Sequence, residues 1–216
     1  MPKPEVALKL PSPVGFLEAL FRELPEETAD PSHRGGVIIL HPHPLYGGNM
    51  HNKTVFTAQK VFTELGLATL RFNFRGVGIS AGAYDDGQGE QDDVLAAVGF
   101  MRQRMPSLPL YLAGFSFGAW LALKVGAAQA RIKGLIAIGT PVSWAELDFL
   151  GKCEKPKLFV HGTQDQYCDP NEMEKAFGLI ARPKQIFWIE GADHFFTDRL
   201  DRLAEVLRDH FPWRSD

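Results

Sequence analysis

The segment Leu110–Ala119 restricts the fold of this 216-residue chain more than any other. Four residues suited to a buried strand, 110–113, run directly into Gly114-Phe115-Ser116-Phe117-Gly118, and a helix-forming stretch follows at 119–125. A strand that becomes a helix within so few residues needs strained backbone angles at the turn. Glycines two positions before and two after the serine remove the Cβ atoms that would collide there. The sequence therefore predicts a sharp strand–turn–helix unit with Ser116 at its tip.

Such a turn exposes the Ser116 hydroxyl at the end of the strand, in front of the first N–H groups of the helix. This position suits a nucleophile, which needs an exposed hydroxyl with hydrogen-bond donors nearby. The simpler alternative is a turn serine that only caps the helix. Because a strand precedes the motif and a helix follows it, we favour Ser116 as a nucleophile.

A serine nucleophile needs a base and an acid that orients the base, and two later turns contain both residue types. A predicted strand at 157–160 ends before His161-Gly162-Thr163-Gln164-Asp165. Another predicted strand, 185–189, ends before Glu190-Gly191-Ala192-Asp193-His194. In a parallel sheet the carboxyl ends of the strands lie on one edge, so the serine, the acid and the histidine can converge. We predict Ser116, Asp165 and His194 as the catalytic residues.

Other residues near these turns offer competing assignments. Asp169 is a rival for the acid, and Asp193 stands beside the predicted base, where we expect it to cap or brace the loop. Taken singly, Asp165 could be a plain turn residue and His194 a packed loop histidine. Cys168, near the acid, is expected to be a spectator. The shared placement after strands, in the order serine, acid, histidine, favours the catalytic assignment.

Apolar runs and helical patterns alternate along most of the chain. After an opening antiparallel pair at 6–10 and 16–24, strands are predicted at 37–40, 67–72, 110–113, 135–138, 157–160 and 185–189. Helices are predicted at 53–65, 88–104, 116–128, 170–180 and 199–210. This alternation indicates an α/β protein with a mainly parallel central sheet and helices on both faces.

The chain resembles an α/β-hydrolase, specifically the small lidless bacterial group with dienelactone-hydrolase-like architecture and an H-P-H-P segment. The segments that carry the resemblance are His41-Pro42-His43-Pro44-Leu45-Tyr46-Gly47-Gly48, 71–80, 114–118, 161–165 and 191–196. It extends from about Gly36 to the C-terminus, and we treat residues 1–216 as a single α/β-hydrolase domain. The resemblance implies hydrolysis of esters or related acyl compounds by Ser-His-Asp catalysis and leaves the substrate open.

Many α/β-hydrolases insert a lid domain after the strand that corresponds here to 135–138. In this chain only residues 139–154 join that strand to the next, which leaves room for one short helix. We therefore expect no lid domain and an open active site. An open site favours short or water-soluble acyl groups over long lipid chains.

Backbone N–H donors must face the negative charge that develops on the substrate oxygen. In this fold the residue after the nucleophile, here Phe117, supplies the first donor. The second donor is expected in the loop after strand 37–40, where two prolines have no N–H to give. His43 is therefore the preferred second donor, and Leu45 is the next candidate. The loop departs from the glycine-rich H-G-G-G pattern of other family members.

Aromatic residues in the loops at the same sheet edge are candidate walls of an acyl pocket. They are Tyr46, Phe115, Trp144 and Phe149. The alternative is that these side chains are ordinary core or surface aromatics.

Two segments suggest other kinds of site. His33, His41, His43 and His51 include an H-x-H pair, which on an extended segment puts two side chains on one face and can suit zinc. No acid or cysteine stands at ligand spacing in this segment, so we expect no metal and no other cofactor. Residues 73–80 contain two glycines but lack the ending of a phosphate-binding loop. We expect a structural turn there, in which Arg75 ties loops together.

The composition of the chain limits the classes of partner that we expect. A net charge of −3 gives no electrostatic reason to expect nucleic acid or an anionic membrane as a partner. Two cysteines make no disulfide framework, no apolar run approaches the length of a membrane span, and the first residues lack the pattern of a secretion signal. We expect a cytoplasmic monomer or homodimer that acts on small-molecule acyl substrates.

The predicted function is that of a carboxylesterase-like serine hydrolase, which cleaves short-chain carboxylesters through an acyl-enzyme intermediate. A thioesterase or a peptidase-like acyl hydrolase would use the same residues and remains an alternative. The alternative without catalysis is an idle binding protein of the same fold.

Overall fold

The computed structural model describes residues 3–25 and 34–211, and its centre is an eight-stranded sheet. The strands are β1 Glu5–Ser12, β2 Gly15–Arg22, β3 Gly36–Leu40, β4 Ala68–Phe72, β5 Leu110–Phe115, β6 Ile132–Ile138, β7 Lys157–Gly162 and β8 Lys184–Ile189. Their order across the sheet is β1-β2-β4-β3-β5-β6-β7-β8. β1 and β2 form the predicted antiparallel pair, β2 runs antiparallel to β4, and all other neighbours are parallel.

Five helices in the described part of the chain cover both faces of this sheet. They are α1 Lys53–Glu64, α2 Gln88–Arg104, α3 Phe117–Ala128, α4 Pro170–Leu179 and α5 Leu200–His210. Side chains alternate along each strand, so Val37 and Ile39 of β3 pack in one core with α1 and α5. Ile38 and Leu40 pack in the opposite core with α2, α3 and α4. The predicted architecture, a mainly parallel sheet with helices on both faces, is confirmed. Across residues 3–25 and 34–211, no helix has both the length and the apolar character needed to cross a membrane.

The ends of the elements differ from the predicted ones by a few residues. β6 begins at Ile132 rather than 135, because Ile132 already pairs with Leu110 of β5 although the exposed Lys133 interrupts the apolar pattern. β5 continues to Phe115, so strand pairing extends to the residue before the predicted nucleophile. Backbone pairing, rather than apolar content, sets these ends.

The connection from β6 to β7 spans residues 139–156 and contains one short 3₁₀ helix, Asp148–Lys152. Leu150 of this helix is buried in the core formed with α2, α3 and α4. The connection carries no lid domain, as predicted.

Candidate active site

Ser116 lies at the tip of a tight turn between β5 and α3. Its backbone angles, φ 55° and ψ −119°, are ones that residues with a Cβ rarely adopt. The turn is so tight that a Cβ on Gly114 would lie 2.1 Å from the carbonyl oxygen of Gly118. A Cβ on Gly118 would lie 2.5 Å from the carbonyl oxygen of Leu40 in β3. The two glycines therefore permit the turn that holds the serine side chain at the sheet edge, as the sequence predicts.

Ser116, His194 and Asp165 form a continuous hydrogen-bonded chain at the carboxyl ends of β5, β8 and β7. The Ser116 hydroxyl donates to Nε2 of His194 over 3.0 Å, and Nδ1–H of His194 donates to Oδ2 of Asp165 over 2.8 Å. Both the acid and the imidazole are buried. An ionised carboxylate can only accept, so Nδ1 carries the hydrogen and Nε2 is free to receive one. The three residues predicted from the sequence thus come together with the geometry that general-base activation of a serine needs.

The rival acids have other partners. Asp169 caps α4, where it accepts the backbone N–H of Asn171 over 2.7 Å, and this hydrogen bond lowers the pKa of Asp169. Asp193 accepts the N–H of Thr197 over 2.8 Å and braces the loop that carries the histidine. Of the three acids, Asp165 is the one hydrogen-bonded to the imidazole.

Two backbone N–H groups hold the carboxylate of Asp165. The N–H groups of Tyr167 and Cys168 donate to its Oδ1 over 2.9 and 3.0 Å. The Cys168 thiol is buried, and burial raises its pKa to about 12, so it stays protonated at neutral pH. A protonated, buried thiol is a poor nucleophile, which agrees with the expected spectator role.

The N–H groups expected to receive an oxyanion lie at the start of α3 and in the loop after β3. Phe117 is the first residue of α3, and its N–H finds no acceptor in the described ranges. The backbone N–H of His43 likewise finds none there. Leu45 differs, because its N–H donates to Nδ1 of the His43 ring over 3.2 Å. The prediction of Leu45 as a reserve donor is therefore wrong, since a side chain already occupies its N–H.

The buried ring of His41 anchors this loop. Its Nδ1–H donates to the carbonyl oxygen of Pro42 over 2.6 Å, and its Nε2 accepts the N–H of Phe74 over 3.0 Å. Burial lowers the pKa of His41 to about 3, so the ring stays neutral and can donate and accept at once. From the sequence, His41 was considered as a candidate metal ligand, and this anchoring role was missed. A polar residue directly after the buried strand β3 was the available signal.

His43 lies beside the anchor and lines the candidate site. Its Nε2 hydrogen-bonds the hydroxyl of Tyr84 over 3.1 Å, and its ring centroid lies 5.0 Å from those of Tyr84 and Phe117. Burial lowers the pKa of His43, although Asp86 opposes that shift. The neutral ring fits its two contacts, since Nδ1 accepts from the backbone and Nε2–H is left to donate.

The segments considered for metal or phosphate binding have structural contacts instead. Within the described ranges, no three His, Cys, Asp or Glu side chains are grouped so that they could hold a metal ion. Hydrogen bonds engage both ring nitrogens of His41 and of His43, while His33 lies outside the described residues. Arg75 pairs with buried Asp93 of α2, with Nη2 and Oδ1 2.9 Å apart. This pair ties the turn after β4 to the helix α2, so Arg75 has a structural role as expected, although its partner lies in a helix rather than in another loop.

A cavity of about 610 Å³ opens over Ser116 and His194. Aromatic rings form much of its wall, namely Tyr46, Trp144, Tyr167 and Phe195. The first two of these were predicted from the sequence. The last two were missed, although one follows the acid by two residues and the other follows the histidine directly.

Phe115 and Phe149, predicted as pocket walls, lie elsewhere. Phe115 is buried behind the imidazole, with its ring centroid 5.1 Å from that of His194. As the last residue of β5, it shares the core of α1 and α5 with Ala113, two positions earlier. Phe149 packs against the opposite core, with the Lys124 amino group 5.0 Å from its ring. The prediction that these two residues line the pocket is wrong.

Comparison with known proteins places the chain in a family. Residues 38–205 match a family model described as an alpha/beta hydrolase domain. An a/b serine hydrolase without lid from Xanthomonas campestris is 34% identical with a TM-score of 0.87, and the match covers 100% of this chain and 99% of that one. An alpha-beta serine hydrolase homologue from Coxiella burnetii is 37% identical with a TM-score of 0.87, over 98% of each chain. An uncharacterized protein of Rickettsia prowazekii (strain Madrid E) is 35% identical over 182 residues, 80% of this chain and 76% of that protein. The chain therefore belongs to the α/β-hydrolase family, and a serine hydrolase without a lid is among its relatives.

Proposed function

We propose that this protein is a serine hydrolase that cleaves carboxylesters with short acyl groups. The hydrogen-bonded chain from Ser116 through His194 to Asp165 carries the proposal, because it puts a serine hydroxyl within reach of a base whose tautomer is fixed. The similarity to a serine hydrolase without a lid and to a second serine hydrolase homologue supports the same chemistry.

In the first step, Oγ of Ser116 attacks the carbonyl carbon of the ester while Nε2 of His194 takes the hydroxyl proton. The N–H groups of Phe117 and His43 donate to the oxyanion that forms. The carboxylate of Asp165 stabilises the imidazolium. His194 then gives its proton to the departing alcohol, and the acyl group remains bonded to the serine oxygen.

Water completes the reaction. The imidazole of His194 takes a proton from a water molecule as the water oxygen attacks the acyl carbon. The second tetrahedral intermediate breaks at the bond to Oγ, and His194 returns the proton to Ser116. The carboxylic acid then leaves. The open cavity supports this step because water reaches the acyl-enzyme without the movement of a lid.

The exposure of the cavity walls favours short acyl groups. Residues Trp144 and Tyr46 are 53% and 85% exposed, so a long chain laid against them would stay largely in water. Because the gain from apolar contact scales with the area removed from water, each further methylene adds little binding energy once the acyl group extends past the cavity.

Two alternatives use the same site. A thioesterase or a peptidase-like acyl hydrolase would need the same nucleophile, base and oxyanion donors, with a different leaving group. An idle binding protein would keep the fold without catalysis. Reaction of Ser116 with a fluorophosphonate probe separates the hydrolases from the idle protein, since only an activated serine is labelled, and turnover of esters, thioesters and amides separates the hydrolases from one another.

The direct test is the initial rate on p-nitrophenyl acetate, butyrate, octanoate and palmitate, for the wild type and Ser116→Ala in parallel. We expect turnover of the short esters, reduced by about 10³-fold or more in the variant. High activity on palmitate with none on acetate or butyrate would contradict the short-chain proposal. If no ester is turned over, thioesters and amides become the substrates to test, and absence of probe labelling would favour the binding protein.

A further inference from the structure

His161 is a buried side chain of β7 that the proposed mechanism does not use. Only 1% of the side chain is exposed, and its ring packs edge-on against Trp188 of β8, with the ring centroids 5.5 Å apart. The preceding strand positions, 158–160, hold apolar residues of the two cores. A histidine at such a position buries two polar ring nitrogens, which costs free energy unless both find partners.

One of these nitrogens faces the acid of the candidate site. Nε2 of His161 lies 3.3 Å from Oδ2 of Asp165, the same oxygen that accepts from Nδ1 of His194, and 3.4 Å from the carbonyl oxygen of Cys168. Both neighbours of Nε2 are acceptors, so Nε2 carries the hydrogen, which it donates to the carbonyl oxygen of Cys168 while the N–H lies at ion-pair distance from Oδ2 of Asp165. Burial lowers the pKa of His161, Asp165 and the Cys168 carbonyl oppose the shift, and His194 adds to it. The ring is a neutral donor.

The other nitrogen is unpaired. Nδ1 of His161 is buried without a hydrogen-bond partner among the described residues. With the hydrogen on Nε2, Nδ1 is an acceptor whose lone pair receives no hydrogen bond. A second proton would instead bury an unpaired N–H and a positive charge close to His194. An unpaired buried polar atom destabilises a fold. A side chain that only filled the core would carry no such loss, and the interactions of Nε2 with the Cys168 carbonyl and with the Asp165 carboxylate are what offset it.

We propose that His161 is a positioning residue that holds the carboxylate of Asp165, an inference that rests on the proposed function. Two backbone N–H groups face Oδ1 of this carboxylate, and the two histidines face Oδ2. Hydrogen bonds from Tyr167, Cys168 and His194 hold the two oxygens, and the N–H of His161 adds an electrostatic attraction at Oδ2, so the carboxylate cannot turn about its χ2 bond without losing several of these interactions. Oδ2 therefore stays at hydrogen-bond distance from His194 through both proton transfers. His161 does not line the cavity, and it acts through Asp165.

Three variants at this position separate positioning from packing. His161→Leu removes the N–H and keeps apolar volume, His161→Asn is polar but too short to reach the carboxylate, and His161→Gln places an amide N–H near the position of Nε2. We expect kcat on p-nitrophenyl butyrate to fall about 10- to 100-fold in the Leu and Asn variants, with KM within about twofold, because misplaced catalytic groups slow the chemical step. The Gln variant should recover most of the loss. Trp188→Phe, which changes the packing of the same ring, should leave kcat within about twofold.

Ring-nitrogen NMR of the Ser116→Ala protein gives a readout that does not depend on turnover. We expect His161 as the neutral tautomer with the hydrogen on Nε2. The Nδ1–H resonance of His194, which reports its hydrogen bond to Asp165, should move when His161→Leu is added and return toward its original position with His161→Gln.

A folded His161→Leu protein with unchanged kcat and an unchanged His194 resonance would overturn the proposal, as would a hydrogen on Nδ1 of His161. If His161→Leu does not fold, the comparison of His161→Asn with His161→Gln tests the proposal. Equal kcat in these two variants would also overturn it. A wild type inactive on every ester contradicts the proposed function instead, and the resonance of His194 then decides whether His161 holds Asp165.

Discussion

The hydroxyl of Tyr84 lies 3.1 Å from Nε2 of His43, and this contact joins the chain between β4 and α2 to the loop that carries the second proposed oxyanion donor. Because the N–H of Leu45 occupies Nδ1, the His43 ring has its hydrogen on Nε2 and donates it to the phenol oxygen. Burial, reinforced by Asp86, raises the pKa of Tyr84, so the phenol stays protonated. The backbone of His43 is therefore fixed through its own side chain.

Removing that hydroxyl should loosen the loop. We expect Tyr84→Phe to lower the free energy of unfolding by about 1 kcal/mol, the net contribution of one hydrogen bond, and to lower kcat by a similar free energy, about 5-fold. Tyr46→Phe is the matched control, since Tyr46 packs on the same imidazole at 4.7 Å and is largely exposed. Denaturant unfolding and ester hydrolysis measure both effects. Equal kcat in the two variants would mean that the Tyr84 hydroxyl does not hold the loop.

The buried His41 should make stability depend on pH. Its folded pKa is about 3 against an ordinary value of 6.5, so between these values the unfolded chain binds a proton that the folded protein does not. The stability contribution is complete above pH 6.5 and is lost as the pH falls through that value toward 3. From this residue alone we expect a loss of about 2 kcal/mol between pH 7.5 and pH 5.

The measurement compares denaturant unfolding at the two pH values for the wild type and His41→Gln. The variant is less stable at neutral pH, but its stability should fall less on acidification, by about that 2 kcal/mol. His51→Gln, at an exposed histidine in the next turn of the chain, is the control and should follow the wild type. Parallel curves for the wild type and His41→Gln would contradict the buried, neutral ring.

The sequence predicted the sheet, the placement of the three catalytic candidates and the turn at Ser116 because all of these depend on local pattern. Runs of apolar residues and their spacing mark the strands, and glycine marks the positions where a Cβ cannot fit. The convergence of Ser116, Asp165 and His194, each of which follows a strand, at one edge of the sheet then follows from parallel pairing. None of these inferences needs the direction of an individual side chain.

The failures depend on side-chain direction and on contacts between distant segments. Phe115 was placed in the pocket because it is next to the serine, but strand alternation carries its ring into the core of α1 and α5. Leu45 was a reserve donor because it has an N–H, and only the rotamer of His43 shows that this N–H is already bound. The contact between His161 and Asp165 needs the turn after β7 to fold back on its own strand, which spacing alone does not reveal.

The tight turn around Ser116 should not tolerate a methyl group at Gly118. The added Cβ would lie 2.5 Å from the carbonyl oxygen of Leu40, a backbone atom that cannot move aside as a flexible side chain could. We expect Gly118→Ala to lower the free energy of unfolding by about 3 kcal/mol or more and to abolish ester hydrolysis. Gly99→Ala in the middle of α2 is the control, since its Cβ would meet nothing within 4 Å. It should stabilise the protein by about 0.5–1 kcal/mol.

The cavity walls should differ in their effect on substrate binding. Trp144 is packed edge-on against Trp120, with ring centroids 5.7 Å apart, and is half-exposed, whereas Tyr46 is 85% exposed. We expect Trp144→Ala to raise KM for p-nitrophenyl butyrate about 5- to 10-fold with little change in kcat, because a wall held in place buries more of the substrate. Tyr46→Ala should change KM less than about twofold. A larger effect at Tyr46 would place the acyl group on the other side of the cavity.

Replacing Asp165 by asparagine should invert the tautomer of the base. The backbone N–H groups of Tyr167 and Cys168 both point at Oδ1 and cannot give up their hydrogens, whereas the two imidazoles that face Oδ2 can move theirs to the other ring nitrogen, so the amide oxygen of the new side chain takes the Oδ1 position. Its NH₂ group then faces His194 and donates to Nδ1, which leaves the hydrogen on Nε2 and deprives the serine of its base. We expect Asp165→Asn to lower kcat by about 10⁴-fold while the fold is retained.

Asp169→Asn is the matched control for that variant, because it makes the same chemical change at the rival acid. Asparagine caps a helix about as well as aspartate, so α4 should keep its start and kcat should stay within about twofold of the wild type. Ring-nitrogen NMR adds a direct view of the base: the hydrogen should move from Nδ1 to Nε2 of His194 in Asp165→Asn and stay on Nδ1 in Asp169→Asn. If activity were instead lost in Asp169→Asn and kept in Asp165→Asn, the acid would have to be reassigned, because the geometry at Oδ1 allows Asp165→Asn no orientation that still accepts from the imidazole.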